Sequence, residues 1–153
     1  MEIDYEKLSA DELRGLMANA RRLKSDDVYR GAFAQLCKLA PNADGQVDDL
    51  NDPLVQRFWQ AVTAAEQIRT EANGKTNRLQ RTRNKAAKEG VVATMEALAL
   101  KPEPSDGFHY LVDEGLPHLV FEYVILETPS RFSEAAVEAS RRRLNKHHIP
   151  LPA

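Results

Sequence analysis

The sequence predicts an all-α protein, a single compact helical domain of six to eight helices in which an N-terminal helical hairpin packs on a central amphipathic helix. Three observations carry that expectation. Apolar residues recur at three- and four-residue spacing through most of the chain, capping residues stand just ahead of those periodic stretches, and Gly or Pro closes most of them. With 153 residues, 42% of them hydrophobic, the chain is long enough for one real core, which excludes wholesale disorder.

The first helix is expected over about 10–23. Ser9 can accept from the amide three residues on while Glu12 reaches back to the Ser9 amide, and Leu13, Leu16, Met17, Ala20 and Leu23 follow at helical spacing. Ser25-Asp26-Asp27 begins the second, its early carboxylates favoured by the helix dipole. Val28, Ala32, Leu36 and Leu39 form one row and Tyr29, Phe33 and Cys37 the next, so this helix has a broad apolar face until Pro41 ends it. The segment 41–51 reads as an acidic loop around the Asp44-Gly45 turn. It is not a calcium loop: with Gly45 at the sixth position, Ala40 and Asn51 occupy the first and last, where carboxylates are needed.

Asp52 followed by Pro53 caps the strongest amphipathic helix, with Leu54, Phe58, Ala61, Val62, Ala65, Ile68 and Ala72 on one face and Val55 and Trp59 widening it. Beyond Ile68 the chain turns polar and basic, and Asn73-Gly74 is expected to break the helix, with Thr76 able to start the next. After Gly90, the positions Val91, Val92, Met95, Leu98 and Ala99 give a further helix closed by Pro102 and Pro104. Ser105 caps a short helix through Phe108, Leu111 and Val112 that stops at Gly115. The stretch 117–127 is ambiguous. Its Val, Phe, Tyr and Ile content suits a strand, but no partner strand is evident, so a buried helix is expected and an edge strand used for dimer pairing is the alternative. Ser133 caps a last helix through Val137 and Leu144. Within one domain over 1–153, the sub-regions are a hairpin at 9–40, an amphipathic then basic helix at 52–89, and a bundle of short helices at 91–147.

The chain has 21 Lys and Arg against 23 Asp and Glu, a net charge of −2. That near-neutral total is a cancellation. Residues 69–90 hold seven bases and two acids, residues 91–140 two bases and nine acids, and the tail from 141 adds four bases with no acid. Local fields, not the total, decide which partner is attracted.

The basic segment is the leading candidate site. Arg78, Arg81, Lys85 and Lys88 would fall within a sector of about 80° on a helix, while Leu79, Ala86 and Gly90 lie on another face. A helix seated on one side with a cationic stripe on the other can follow a phosphate backbone by releasing condensed counterions. Asn77, Gln80, Thr82 and Asn84 between the bases can hydrogen-bond phosphates or base edges. Arg83 supports this set, as do Arg141, Arg142 and Arg143, which with Lys146, His147 and His148 end the last helix. The bland reading takes the 78–88 charges as a solvated face or as partners of the acidic region at 91–140, and the cluster from Arg141 as a complement to the helix dipole.

Other chemistries find less support. His118 with Glu122, and Asp106 with His109 and Asp113, could share a metal ion at helical spacing, but no Cys or HExxH pattern backs them and no metal or other cofactor is expected. Cys37, the single cysteine, sits in an apolar face with no base near it in sequence and permits no intrachain disulfide. There is no GxSxG, glycine-rich phosphate loop or dinucleotide fingerprint, so no catalytic residue is nominated and an enzyme is not expected. The acidic N-terminal stretch lacks an apolar signal region and no apolar run reaches bilayer length, so a cytoplasmic protein without a membrane partner is expected. The expected function is a small non-enzymatic accessory or regulatory protein contacting nucleic acid, DNA before RNA, through the basic helix. The alternative is a helical protein-interaction module or oligomeric adaptor.

Overall fold

Ser9 opens the first helix by the reciprocal bonds its sequence suggests. Its hydroxyl accepts from the Glu12 amide at 3.1 Å, and its own amide donates to the Glu12 carboxylate at 3.1 Å. The computed structural model describes residues 3–39, 48–74 and 78–152. Among these are eight α-helices and no strand, so the chain is all-α. The helices fall into two compact units, 1–43 and 44–153, each described by itself.

The first unit holds a 3-10 helix at Tyr5–Lys7, α1 at Ala10–Arg22 and α2 at Asp26–Leu39. The helices pair as the expected hairpin, burying Leu13 and Met17 of α1 against Ala32 and Leu36 of α2, with Tyr5, Leu16, Tyr29 and Phe33 packed around them. Lys24 makes the tight turn possible by adopting a left-handed conformation (φ 58°), while the Ser25 amide donates to the Ala20 carbonyl at 2.8 Å. Cys37 is half-buried in α2. Pro41 and the rest of the expected acidic loop as far as residue 47 lie outside the described residues.

The second unit is built on α3, Pro53–Asn73. Asp52 caps it through the Leu54 amide at 3.0 Å, Pro53 occupies the first turn, and Gly74 ends it in a left-handed conformation (φ 74°). The expected break is therefore present; Thr76 lies outside the described residues. Burial departs from the single apolar face read from the sequence. Every residue from 61 to 67 is buried, including Thr63, Glu66 and Gln67, whereas Ala72 is exposed. The polar members are partly accommodated by hydrogen bonds: the Thr63 hydroxyl donates to the Trp59 carbonyl at 2.6 Å and the Gln67 Nε2 to Glu71 at 3.1 Å, while the buried Gln67 Oε1 has no partner among the described residues.

Around α3 stand α4 (Gln80–Glu89), α5 (Val91–Ala99), α6 (Asp106–Asp113), α7 (Phe121–Glu127) and α8 (Glu134–Lys146). α6 and α7 pack on α3, α5 packs on α4, and α7 packs on both α5 and α8. Ser105 and Ser133 cap α6 and α8 as expected, accepting from the Phe108 and Ala136 amides. The ambiguous stretch 117–127 is helical but divided. Pro117–Leu119 forms a 3-10 helix, the β-branched Val120 is extended (ψ 150°), and α7 then begins. Phe58, Met95, Ile125 and Leu144 are fully buried at the centre of this unit, with the Phe58 ring stacked on Phe121 at 5.1 Å.

Candidate nucleic-acid interface

Leu79 decides where the basic helix starts. Its amide is held by the Glu66 carboxylate of α3 at 2.8 Å, its backbone is non-helical, and α4 begins at Gln80. Arg78 therefore precedes the helix instead of opening its stripe. Arg81, Lys85 and Lys88 remain on α4 within a sector of about 60°, and Ala86 and Gly90 are buried on another face, as the spacing predicts. Arg78, Arg81 and Lys88 are exposed and Lys85 is half-buried. Asn77 lies outside the described residues.

Two of the eight predicted cations point inward. Arg83 is 3% exposed: its Nε donates to Glu66 Oε2 at 2.7 Å, its Nη2 to Glu66 Oε1 at 2.6 Å, and its guanidinium lies 5.4 Å from the centre of the Trp59 ring. Arg143 is also buried, at 9% exposure. Its Nη1 donates to Glu122 Oε2 at 2.7 Å and to the Leu98 carbonyl at 3.2 Å, and its Nη2 donates to the Lys101 carbonyl. Each satisfies a carboxylate that would otherwise be buried alone, so neither guanidinium can reach a surface ligand. Arg143 thus pairs with the acidic region at 91–140, a pairing the sequence suggested for the 78–88 stripe and not for this cluster.

Of the others, Lys85 pairs with Glu89 and Arg141 with Glu138, both at 2.7 Å along their own helices. Such exposed pairs contribute little and yield readily to a competing anion. Arg81, Lys88 and Arg142 make no ion pair among the described residues.

Of the remaining cations, Arg78, Arg81 and Arg142 border two clefts, whereas Lys85, Lys88 and Arg141 line neither. The larger, of about 650 Å³, has a floor from α3 (Ala61, Val62, Ala65) with Leu111 and Phe121. Arg69, Arg78, Arg81 and Lys101 stand around it, together with the carboxylates of Glu103 and Asp106. The smaller, of about 260 Å³, is bordered by Lys101, Arg142, Lys146 and His147, with no acidic residue in its lining. Both clefts include Lys101 and Pro104, so the two basic segments, remote in sequence, meet along one grooved surface.

Sequence reasoning missed three of these cations as site residues. Arg69 belongs to the basic block but reads as the tail of an amphipathic helix, and Lys146 reads as a helix-end charge. Lys101 carries no signal at all, being one of only two bases among nine acids in 91–140.

The pairs weighed for metal binding do not converge. Val120 interrupts the spacing between His118 and Glu122, and Glu122 is engaged by Arg143. Among the described residues no three His, Cys, Asp or Glu side chains gather as a metal ion would require. The His109 ring instead sits in an aromatic group, 5.7 Å from Phe108 and 6.2 Å from His147. No helix among the described residues is long and apolar enough to cross a membrane. Comparison with known protein families, with curated proteins and with solved structures finds no match.

Proposed function

We propose that this protein is a small non-enzymatic accessory protein that contacts nucleic acid along the groove running from Arg78 and Arg81 past Lys101 to Arg142 and Lys146. The observation that carries the reading is the sharing of Lys101 and Pro104 by the two clefts, which joins both basic segments into one tract. A spaced row of cations beside a groove suits a phosphate chain, since each cation placed at a phosphate releases counterions and lowers the free energy without reading sequence. Of the other cations nominated from sequence, Arg83, Lys85, Lys88 and Arg141 line neither cleft, and Arg143, which borders the smaller one, has its guanidinium held by Glu122 and two backbone carbonyls.

The test is salt-dependent retention of mixed-sequence nucleic acid by the wild type and by the double variant Arg78→Glu with Arg81→Glu. The wild type is expected to bind at low ionic strength, and the variant to bind more weakly with a salt slope lower by roughly two, about 0.9 for each lost phosphate contact. Absence of salt-sensitive binding by the wild type refutes the reading.

A second reading, an interaction module for an acidic protein, draws on the carboxylates that accompany the cations: Glu103 and Asp106 at the larger cleft, and the pairs Lys85–Glu89 and Arg141–Glu138. In that case nucleic acid does not compete with the partner.

A further inference from the structure

We infer that the larger cleft receives an unpaired base, so that the nucleic acid this groove prefers is single-stranded. This rests on the reading just proposed. A groove that only follows phosphates needs charge and curvature; it does not need a deep apolar floor. Here the half-buried Phe121 gives the cleft apolar surface, backed by Ala61, Val62 and Leu111, which are themselves almost fully covered, and the volume of about 650 Å³ lies in the range of sites that enclose small organic groups. A base pair inside a duplex shows only its edges and cannot enter such a space, whereas an unpaired base offers a flat apolar face.

Phe121 provides the matching surface. Its ring is half-buried and lines the cleft, and it lies nearly parallel to the Phe58 ring beneath it, with 6° between the planes. Phe58 is fully buried, so the pair is a fixed platform and loses little freedom when a base is laid on it. The charges at the rim suit the same guest. Arg69, Arg78 and Arg81 can hold the flanking phosphates, while the Glu103 and Asp106 carboxylates, unfavourable to phosphate, are acceptors for the amino groups of a base. The mixture of charge that weakens a phosphate-only account is thus what a complete nucleotide requires.

The experiment uses the full chain and three probes of equal length at one ionic strength: a single-stranded oligonucleotide of mixed sequence, an abasic sugar-phosphate strand, and a duplex. The base-bearing strand is expected to bind roughly tenfold tighter than the abasic strand, and tighter than the duplex. Gly107 supplies a variant that fills the cleft without altering charge. It lines the cleft on α6, and a Cβ placed there meets only ordinary contacts, 3.7 Å from Leu79 and 3.8 Å from Ala65. Gly107→Leu should erase the advantage of the base-bearing strand and leave the salt slope unchanged. Should that variant fail to fold, the three probes on the wild type decide alone. Equal binding of abasic and base-bearing strands, or tighter binding of the duplex, overturns the inference while leaving the groove reading intact. Salt-sensitive binding of none of them, or displacement of the strand by polyglutamate but by no other nucleic acid, overturns both.

Discussion

Arg83 and Glu66 face each other in the interior of the second unit through two parallel hydrogen bonds of 2.7 and 2.6 Å, one from Nε and one from Nη2. Both are nearly inaccessible, at 3% and 8% side-chain exposure. Glu66 further accepts from the Leu79 amide, so one carboxylate joins α3, the start of α4 and a buried guanidinium. A pair of this kind is costly to assemble and more costly to break, because removing one partner strands the other charge without water.

Arg83→Met and Glu66→Leu are each expected to destabilise the protein by about 3–5 kcal/mol, whereas the double replacement restores part of that loss. Urea denaturation of the four proteins measures the coupling; additive losses would contradict it. A second consequence separates fold from function. In buffer where Arg83→Met remains folded, the salt slope of nucleic-acid binding should equal that of the wild type, in contrast to Arg81→Glu.

Arg143 is expected to resist its conservative substitution. Its guanidinium spans the Glu122 carboxylate and the carbonyls of Leu98 and Lys101, closing the end of α5 against α7 and α8. A lysine ammonium is a compact donor that cannot present this planar fork. Arg143→Lys should keep the ion pair, lose carbonyl contacts and cost about 2 kcal/mol, read as a fall in the unfolding midpoint. A midpoint unchanged from the wild type would show that the charge alone matters.

Residues whose signals are local were legible in the sequence: the caps at Ser9, Asp52, Ser105 and Ser133, the break at Gly74, and the hairpin pairing. A cap acts on amides two or three residues away, and short-range geometry is independent of the rest of the fold. The orientation of a single charged side chain is not local. Arg83 shares a helix with Arg81 and Lys85 and differs only in lying about 160–200° from them at 100° per residue, a placement that acquires meaning once Glu66 is known to be buried opposite. Lys101 could not be nominated from its acidic surroundings, because only the packing of α5 and α8 brings it between the two clefts. The division of 117–127 at Val120 was equally hidden, since a run of apolar residues serves a helix and a 3-10 turn alike.

Two glycines should respond in opposite directions to the same substitution. Gly15 lies within α1 with nothing near its prospective Cβ, so Gly15→Ala is expected to stabilise by up to about 1 kcal/mol. Gly90 separates α4 from α5 at φ 89°, and a Cβ there would sit 3.2 Å from the Asp48 carboxylate, which accepts from the Val91 amide at 3.0 Å. Gly90→Ala should cost on the order of 1–3 kcal/mol. Thermal unfolding of the two variants beside the wild type checks the contrast, and a gain at Gly90 would refute the strain.

Acid should weaken the second unit partly through Asp52. The hydrogen bond from the Arg131 guanidinium, 2.9 Å to Oδ1, holds the Asp52 carboxyl below the ordinary aspartate range; partial burial opposes this, and the Leu54 amide and the Arg131 charge add to it. The folded protein therefore releases this proton more readily than the unfolded chain. The resulting stability is present in full above the unfolded value, about 3.9, and is lost as pH falls through the lower folded value. Asp52→Asn keeps a competent helix cap but no longer titrates. Relative to the wild type it is expected to lose somewhat less than about 1 kcal/mol at neutral pH, because the Arg131 side chain is 42% exposed and solvent screens the pair. The two stabilities should converge as the pH drops below about 4. Urea midpoints measured from neutral pH into that range test this, and curves that stay parallel throughout would remove Asp52 from the account of acid sensitivity.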